Sequence, residues 1–214
     1  AQLSPDVDRL RVRHVGPTPI PERVPALDTA RRFDGGRRPT ILLTGYWPPS
    51  NEMLRRWSED PIQNPDGWIG EDWEGRGYDV YAYFPEFDPP DCGQCGAGMG
   101  DLEVDYQDTS ADFWALADAL QPVAVITFSR GLNDQSWEVE MNQYNRPLWV
   151  PDYSNPFQPT PAPPDASAPD WHLRTSTLPA QEIVDAVDTL PGVEPFICFG
   201  GDGGGFLGEF IAYH

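Results

Sequence analysis

Thiols, imidazoles and carboxylates are the side chains through which this sequence could perform covalent or acid–base chemistry, and their spacing narrows what each could do. The 214 residues contain three cysteines and three histidines. Cys92 and Cys95 form Cys-Gly-Gln-Cys inside a stretch rich in Pro, Gly and Asp. Such a pair suits a redox dithiol, half of a zinc site or a small loop disulfide. The dithiol wants a strand and a helix start around it, zinc wants a second ligand pair, and the disulfide wants only an oxidising compartment. No second Cys-x-x-Cys exists and no strand–helix–strand pattern flanks this one, so the disulfide is the favoured expectation. Cys198, within Pro195-Phe-Ile-Cys-Phe199, reads as a buried strand residue with its thiol reduced. His14, His172 and His214 read as surface or loop histidines.

The acids Asp101, Glu103, Asp105 and Asp108 could approach a calcium ion, but they lack the Asp-x-Asp-x-Asp-Gly spacing of an EF-hand loop. No metal and no cofactor is expected. Gly200-Gly-Asp-Gly-Gly-Gly205 stands just before an apolar helical segment, where its amides could receive an oxyanion or another anion. Eight tryptophans suit either sugar stacking or core filling.

Charge bounds the partners. Acidic residues number 34 against 14 basic ones, every basic one is arginine, and the formal net charge is -20. That field repels nucleic acid and anionic membrane surfaces while favouring solubility and basic or neutral ligands. No run approaches the ~20 apolar residues of a membrane helix. The expected partner is a small-molecule, peptide or glycan ligand, with neither nucleic acid nor membrane. A start at Ala1-Gln2 without Met suggests processing after a small residue, and together with the cysteine pair it leads to an expectation of a secreted or periplasmic protein.

These groups must be positioned by regular elements. Thr40-Ile-Leu-Leu-Thr-Gly45 reads as a buried strand feeding a loop, Tyr78–Phe84 as a second strand stopped by Pro85, and Pro122–Phe128 as a β-branched strand covered on both faces. Thr109–Leu120 reads as an amphipathic helix with Ser110 and Asp112 at its start, and Leu178–Leu190 as another, with Pro179 in its first turn. Val193–Phe199, the glycine loop and Phe206–Tyr213 read as strand, loop and helix. Residues 88–108 form a loop, and the proline-rich stretch from Asn145 to Asp170 reads as a wrapping loop. Alternation of strand and helix predicts an α/β fold with a mostly parallel sheet, behind an Arg- and Pro-rich arm over residues 1–39 and one domain over 40–214. Functional groups then gather at the C-terminal strand ends, near Gly45, Ser129 and Gly200.

In order along the chain, several segments resemble one family. Thr44-Gly-Tyr-Trp-Pro48 is similar to its Thr-Gly-Phe-x-Pro opening and Asn64-Pro65 to its Asn-Pro. Phe84-Pro85 with Phe87 resembles its Leu-Pro-Val-x-Phe, and Gln121-Pro-Val-Ala-Val-Ile126 its Lys-Pro-Asp-Val-Val-Ile. Trp137–Asn145 resembles its Thr-Val-Glu-Arg-x-Ala-x-Asn, Ser176-Thr-Leu-Pro179 its Ser-Thr-Leu-Pro, and Gly204–Glu209 its Ala-Gly-x-Tyr-Leu-Cys-Asn. The family is pyroglutamyl peptidase I, the C15 cysteine peptidases, and the resemblance covers about residues 40–213. It implies a three-layer α/β/α arrangement with a mostly parallel twisted sheet, of the phosphorylase/hydrolase-like kind.

The family's activity, removal of N-terminal pyroglutamate, uses a Glu, a Cys and a His. Glu140 matches the glutamate, the nucleophile position falls on Gly208, and the histidine is expected about twenty residues later, past His214. Glycine has no side chain to attack a carbonyl. The family's Phe-x-Pro-Phe lining appears as Tyr46-Trp47-Pro48-Pro49. In the inferred fold Glu140, Asp202 and Glu209 are the candidate catalytic carboxylates, with Tyr46, Trp47, Arg130, Gly204 and Gly208 as substrate-binding positions. The expectation is a hydrolase-like scaffold with a carboxylate-lined site and no cysteine-peptidase activity. Two alternatives stand beside it: an inactive homologue with a binding or structural role, and a glycan-cleaving enzyme using carboxylates of split pKa.

Overall fold

The structure is a computed structural model that describes residues 37–88, 96–131, 136–153, 155, 157–160, 162–199 and 205–214. The expected arm lies outside these residues apart from positions 37–39, and Cys92 and Cys95 lie outside them too.

Three parallel strands form the first sheet, in the order β2 (Asp79–Tyr83), β1 (Thr40–Gly45), β3 (Ala124–Phe128). Leu42 is opposite Tyr81 on one side and Val125 on the other. β1 is buried on both faces, as its central Ile-Leu-Leu run requires. Leu42 belongs to a cluster with Tyr106, Phe113, Trp149, Leu207 and Phe210, whereas Leu43 packs in a second cluster with Leu54, Val80, Ala82 and Phe84. Helix α1 (Pro48–Leu54) follows β1 directly, with Pro48 in the first turn, where a missing N–H costs nothing. Gly45 is required at this junction, because a Cβ there would stand about 2.3 Å from Asn51 Oδ1.

Helix α2 spans Tyr106–Leu120 and so begins three residues before the predicted Thr109. The Asp105 carboxylate sets that start by accepting from the N–H groups of Gln107 and Asp108. Asp112, expected at the N-terminus, instead accepts from Leu102 N–H and ties the preceding loop to the second turn of the helix. Helix α3 (Ala180–Val187) is shorter than the predicted Leu178–Leu190, and helix α4 (Leu207–Tyr213) closes the described chain.

The sequence reading assigned no strand to three segments that are strands in the structure. β4 (Ser136–Glu140) pairs in parallel with β7 (Glu194–Cys198), and β5 (Asn142–Tyr144) pairs in antiparallel fashion with β6 (Leu173–Thr175). Most pairing is therefore parallel, as the sequence predicts, but among the described residues it is divided among three sheets. The proline-rich stretch does wrap back onto the core. The Asn145 side chain, buried to 0% exposure, donates to the carbonyls of Asp165, Ala168 and Pro169 and accepts from Asp165 N–H. Trp149 from this stretch enters the core, and Tyr106 Oη donates to Val150 O.

Candidate functional site

The C-terminal ends of β1 and β3 are joined by two hydrogen bonds, Thr44 Oγ1 to Thr127 Oγ1 at 3.2 Å and Tyr46 N–H to Phe128 O at 3.1 Å. The chain then leaves both strands beside one another, carrying Trp47 from β1 and Ser129 and Arg130 from β3. The Arg130 guanidinium lies 5.8 Å from the centre of the Trp47 ring, a cation–π contact at the mouth of a cleft. This cleft has a volume of about 1120 Å³, and Trp47, Ser129, Arg130, Glu138, Glu140 and Gly208 line it.

Gly208, in the first turn of α4, sits against Ser129. A Cβ added to Gly208 would lie 2.7 Å from Ser129 Oγ and 3.0 Å from Ser129 Cβ. The serine hydroxyl thus takes the space in which a larger residue at position 208 would begin. The site combines a hydroxyl, a guanidinium stacked on an indole, and two glutamates, Glu138 and Glu140, which alternate along β4. Such a set can hold a polar ligand by stacking, by anion pairing and by accepting its hydroxyl or amide hydrogens.

The other sequence candidates are placed differently. Glu209 is buried to 1% exposure and lies outside the cleft lining. Its Oε2 accepts from Arg146 Nε at 2.8 Å and from Gly205 N–H at 3.0 Å, while Oε1 accepts from Tyr144 N–H at 3.0 Å. The carboxylate is a clamp that holds α4, β5 and the end of the glycine-rich loop together. Arg146 is held in turn over the rings of Tyr144 and Trp171. Tyr46 points into the core beside Leu42 and Phe113, and burial raises its phenol well above the usual tyrosine range. Asp202 and Gly204 lie outside the described residues. The structure therefore brings Trp47, Arg130, Glu140 and Gly208 to one cleft and places Tyr46 and Glu209 behind it.

Two histidines have structural surroundings, and His14 lies outside the described residues. His172 Nδ1 is 2.9 Å from Tyr213 Oη. His214 is packed against Phe113 and Phe210, with Nε2 at 3.0 Å from Ser110 Oγ, and burial pushes its pKa down to about 4. Its ring reaches the cleft, as does Arg174, which donates to Tyr213 O at 2.6 Å and to Asp165 at 3.0 Å. Sequence reasoning missed Glu138 and Arg174, and it read as a surface or loop residue His214, which the structure packs against Phe113 and Phe210. The alternation of Glu138 and Glu140 would have been legible had Ser136–Glu140 been read as a strand. Asp105 is occupied as the cap of α2, and among the described residues no cluster of His, Cys, Asp or Glu could hold a metal. Cys198 is buried and in no disulfide among the described residues, and no described helix is long and apolar enough to cross a membrane.

No protein-family model matches the sequence, and neither does any curated protein. Solved structures do match by shape. A mutant pyrrolidone carboxyl peptidase from P. furiosus superposes with a TM-score of 0.53 at 15% identity, over 80% of this chain and 69% of that one. The pyrrolidone carboxyl peptidase of Thermococcus litoralis gives 0.54 at 16% identity, over 82% and 67%. Pyroglutamyl peptidase I of Bacillus amyloliquefaciens gives 0.54 at 14% identity, over 83% and 72%. At this level of identity the likeness is one of fold: the chain has a pyroglutamyl-peptidase-like α/β fold.

Proposed function

We propose that this protein is a hydrolase-like scaffold whose cleft binds a small peptide, acyl-amide or glycan ligand and works without a cysteine nucleophile. The observation that carries the reading is the contact between Gly208 and Ser129: the place where the resemblance puts a thiol holds a glycine packed under a serine hydroxyl. The remaining polar equipment of the cleft is the Trp47–Arg130 stack and the glutamates of β4. Trp47 offers a face for a sugar ring or a planar amide, and Arg130 offers a fork of donors to a carboxylate or carbonyl. Glu140 is the carboxylate that both the resemblance and the cleft lining support as the polar centre.

The reading includes a location outside the cytoplasm, which the Cys92 and Cys95 pair supports. Its test is a titration of the 214-residue chain with pyroglutamyl and acyl amides, dipeptides and oligosaccharides, followed by tryptophan fluorescence and product analysis. A ligand whose affinity falls at least tenfold in both Trp47→Ala and Arg130→Gln is the expected result. Affinity that neither substitution changes contradicts the placement of the ligand in this cleft.

A further inference from the structure

The sheet β2-β1-β3 carries a second concavity, distinct from the cleft. Ile41 and Leu43 of β1 and Ile126 and Phe128 of β3 line it, whereas Leu42 and Thr127, which alternate with them, do not. Alternate lining along two strands places the cavity on one face of the sheet, since successive side chains point to opposite sides. Trp57 and Trp73 close part of it, their rings 6.1 Å apart and nearly perpendicular. The cavity measures about 280 Å³, and every side chain that lines it is apolar. Its walls are not sealed from water: Ile41, Ile126, Phe128 and both tryptophans are only partly buried, and Met53, which also lines it, is 43% exposed.

Position ties this cavity to the cleft. Met53, Ile126 and Phe128 line both, so the two spaces adjoin across those side chains, of which the unbranched Met53 is the most pliant. Phe128 is followed at once by Ser129 and Arg130, which places the apolar space next to the polar groups of the cleft. An apolar concavity beside a few convergent polar groups is the usual construction of a small-molecule site.

We infer that this cavity is an acyl-chain subsite, and that the ligand of the cleft is an uncharged amide whose hydrocarbon tail lies against Ile41, Leu43, Ile126 and Phe128. The inference rests on the reading of the cleft as a ligand site and narrows its three ligand classes to one. A glycan brings hydroxyls that these walls leave unpaired. A free fatty acid brings a carboxylate into the field of a chain with net charge -20, whereas an amide is neutral and presents a carbonyl to the donors of Arg130. An apolar cavity of about 150 Å³ accepts benzene, so this one has room for roughly six to ten carbons.

The test titrates the 214-residue chain by calorimetry with N-acyl glycinamides, from acetyl through butyryl, hexanoyl, octanoyl and decanoyl to dodecanoyl. The expected result is saturable binding whose affinity rises about fourfold per methylene from butyryl to octanoyl and gains nothing from decanoyl to dodecanoyl. Met53→Trp and Ile126→Phe each put bulk into the cavity, and whichever of them keeps its melting temperature is expected to flatten that dependence. Affinity independent of chain length, which is the result if a segment of this chain fills the cavity, overturns the inference. So does an absence of binding by the octanoyl and decanoyl amides, or a length dependence that survives in a folded filling variant. Arg130→Gln separates this inference from the reading beneath it. Length dependence with affinity unchanged in Arg130→Gln supports the acyl subsite and moves the polar end of the ligand away from Arg130, whereas a loss in Arg130→Gln without length dependence keeps the cleft and removes the subsite.

Discussion

Ser129 and Gly208 are packed so closely that a Cβ on Gly208 would lie 2.7 Å from the serine Oγ, which couples the end of β3 to the first turn of α4. Gly208→Ala gains up to about 1 kcal/mol of helix propensity but loses about 1 kcal/mol or more to crowding. The single variant is expected to be neutral or mildly destabilised. In a Ser129→Gly background the same change becomes stabilising, so a double-mutant cycle read by urea denaturation shows coupling of about 1 kcal/mol. Strict additivity contradicts the contact. Gly208→Cys is crowded in the same way and is expected to release no pyroglutamate from a chromogenic amide.

Glu209 and Glu140 should separate cleanly into a structural and a site carboxylate. Removing the Glu209 charge breaks its buried ion pair with Arg146 and weakens the ties to Gly205 and Tyr144. Glu209→Gln is expected to cost about 2–4 kcal/mol of stability. Glu140→Gln, at the half-buried end of β4, is expected to stay within about 1 kcal/mol of the parent. Equal losses in thermal denaturation would remove the distinction.

His214 gives stability a dependence on pH. Its folded pKa is depressed to about 4 by burial, below the ordinary 6.5, so the unfolded chain binds the proton more readily. The contribution is fully present above pH 6.5 and is lost as pH falls from 6.5 towards 4. The loss amounts to about 2 kcal/mol, allowing for partial solvent contact. His214→Phe keeps the stack on Phe113 and Phe210 and should flatten the stability curve in that window. An unchanged slope in the variant assigns the effect to carboxylates instead.

Thiol chemistry tests the expectation for Cys92 and Cys95. If they are joined, titration of the denatured chain finds one reactive thiol, that of Cys198. Three thiols contradict both the disulfide and the oxidising compartment.

The sheet-forming runs were legible because their physics is local. Thr40–Gly45 and Pro122–Phe128 are dominated by apolar residues, and Thr40–Gly45 and Ala124–Phe128 pair in a parallel sheet. The carboxylates were not equally legible. In so acidic a sequence Glu140 and Glu209 look alike, and only the fold shows that Glu209 faces Arg146 and two backbone amides while Glu140 reaches the cleft. β4, β5 and β6 were hidden because Ser136–Tyr144 mixes charge with aromatics and lacks a run of β-branched residues, and Leu173–Thr175 is only three residues long. Their pairing partners, Glu194–Cys198 and Leu173–Thr175, lie about thirty to sixty residues away. Helix α2 began early because its cap is Asp105, an acid that competed with several neighbours for that role.

The most direct test of the central claim is ligand binding and turnover by Glu140→Gln, measured across the acyl-amide, peptide and glycan panel, before and after complete thiol alkylation. The account predicts that alkylation leaves the wild-type response unchanged, whereas Glu140→Gln weakens binding or turnover at least tenfold with its melting temperature preserved. Turnover abolished by alkylation, or a Glu140→Gln variant that binds and reacts as the parent does, would contradict it.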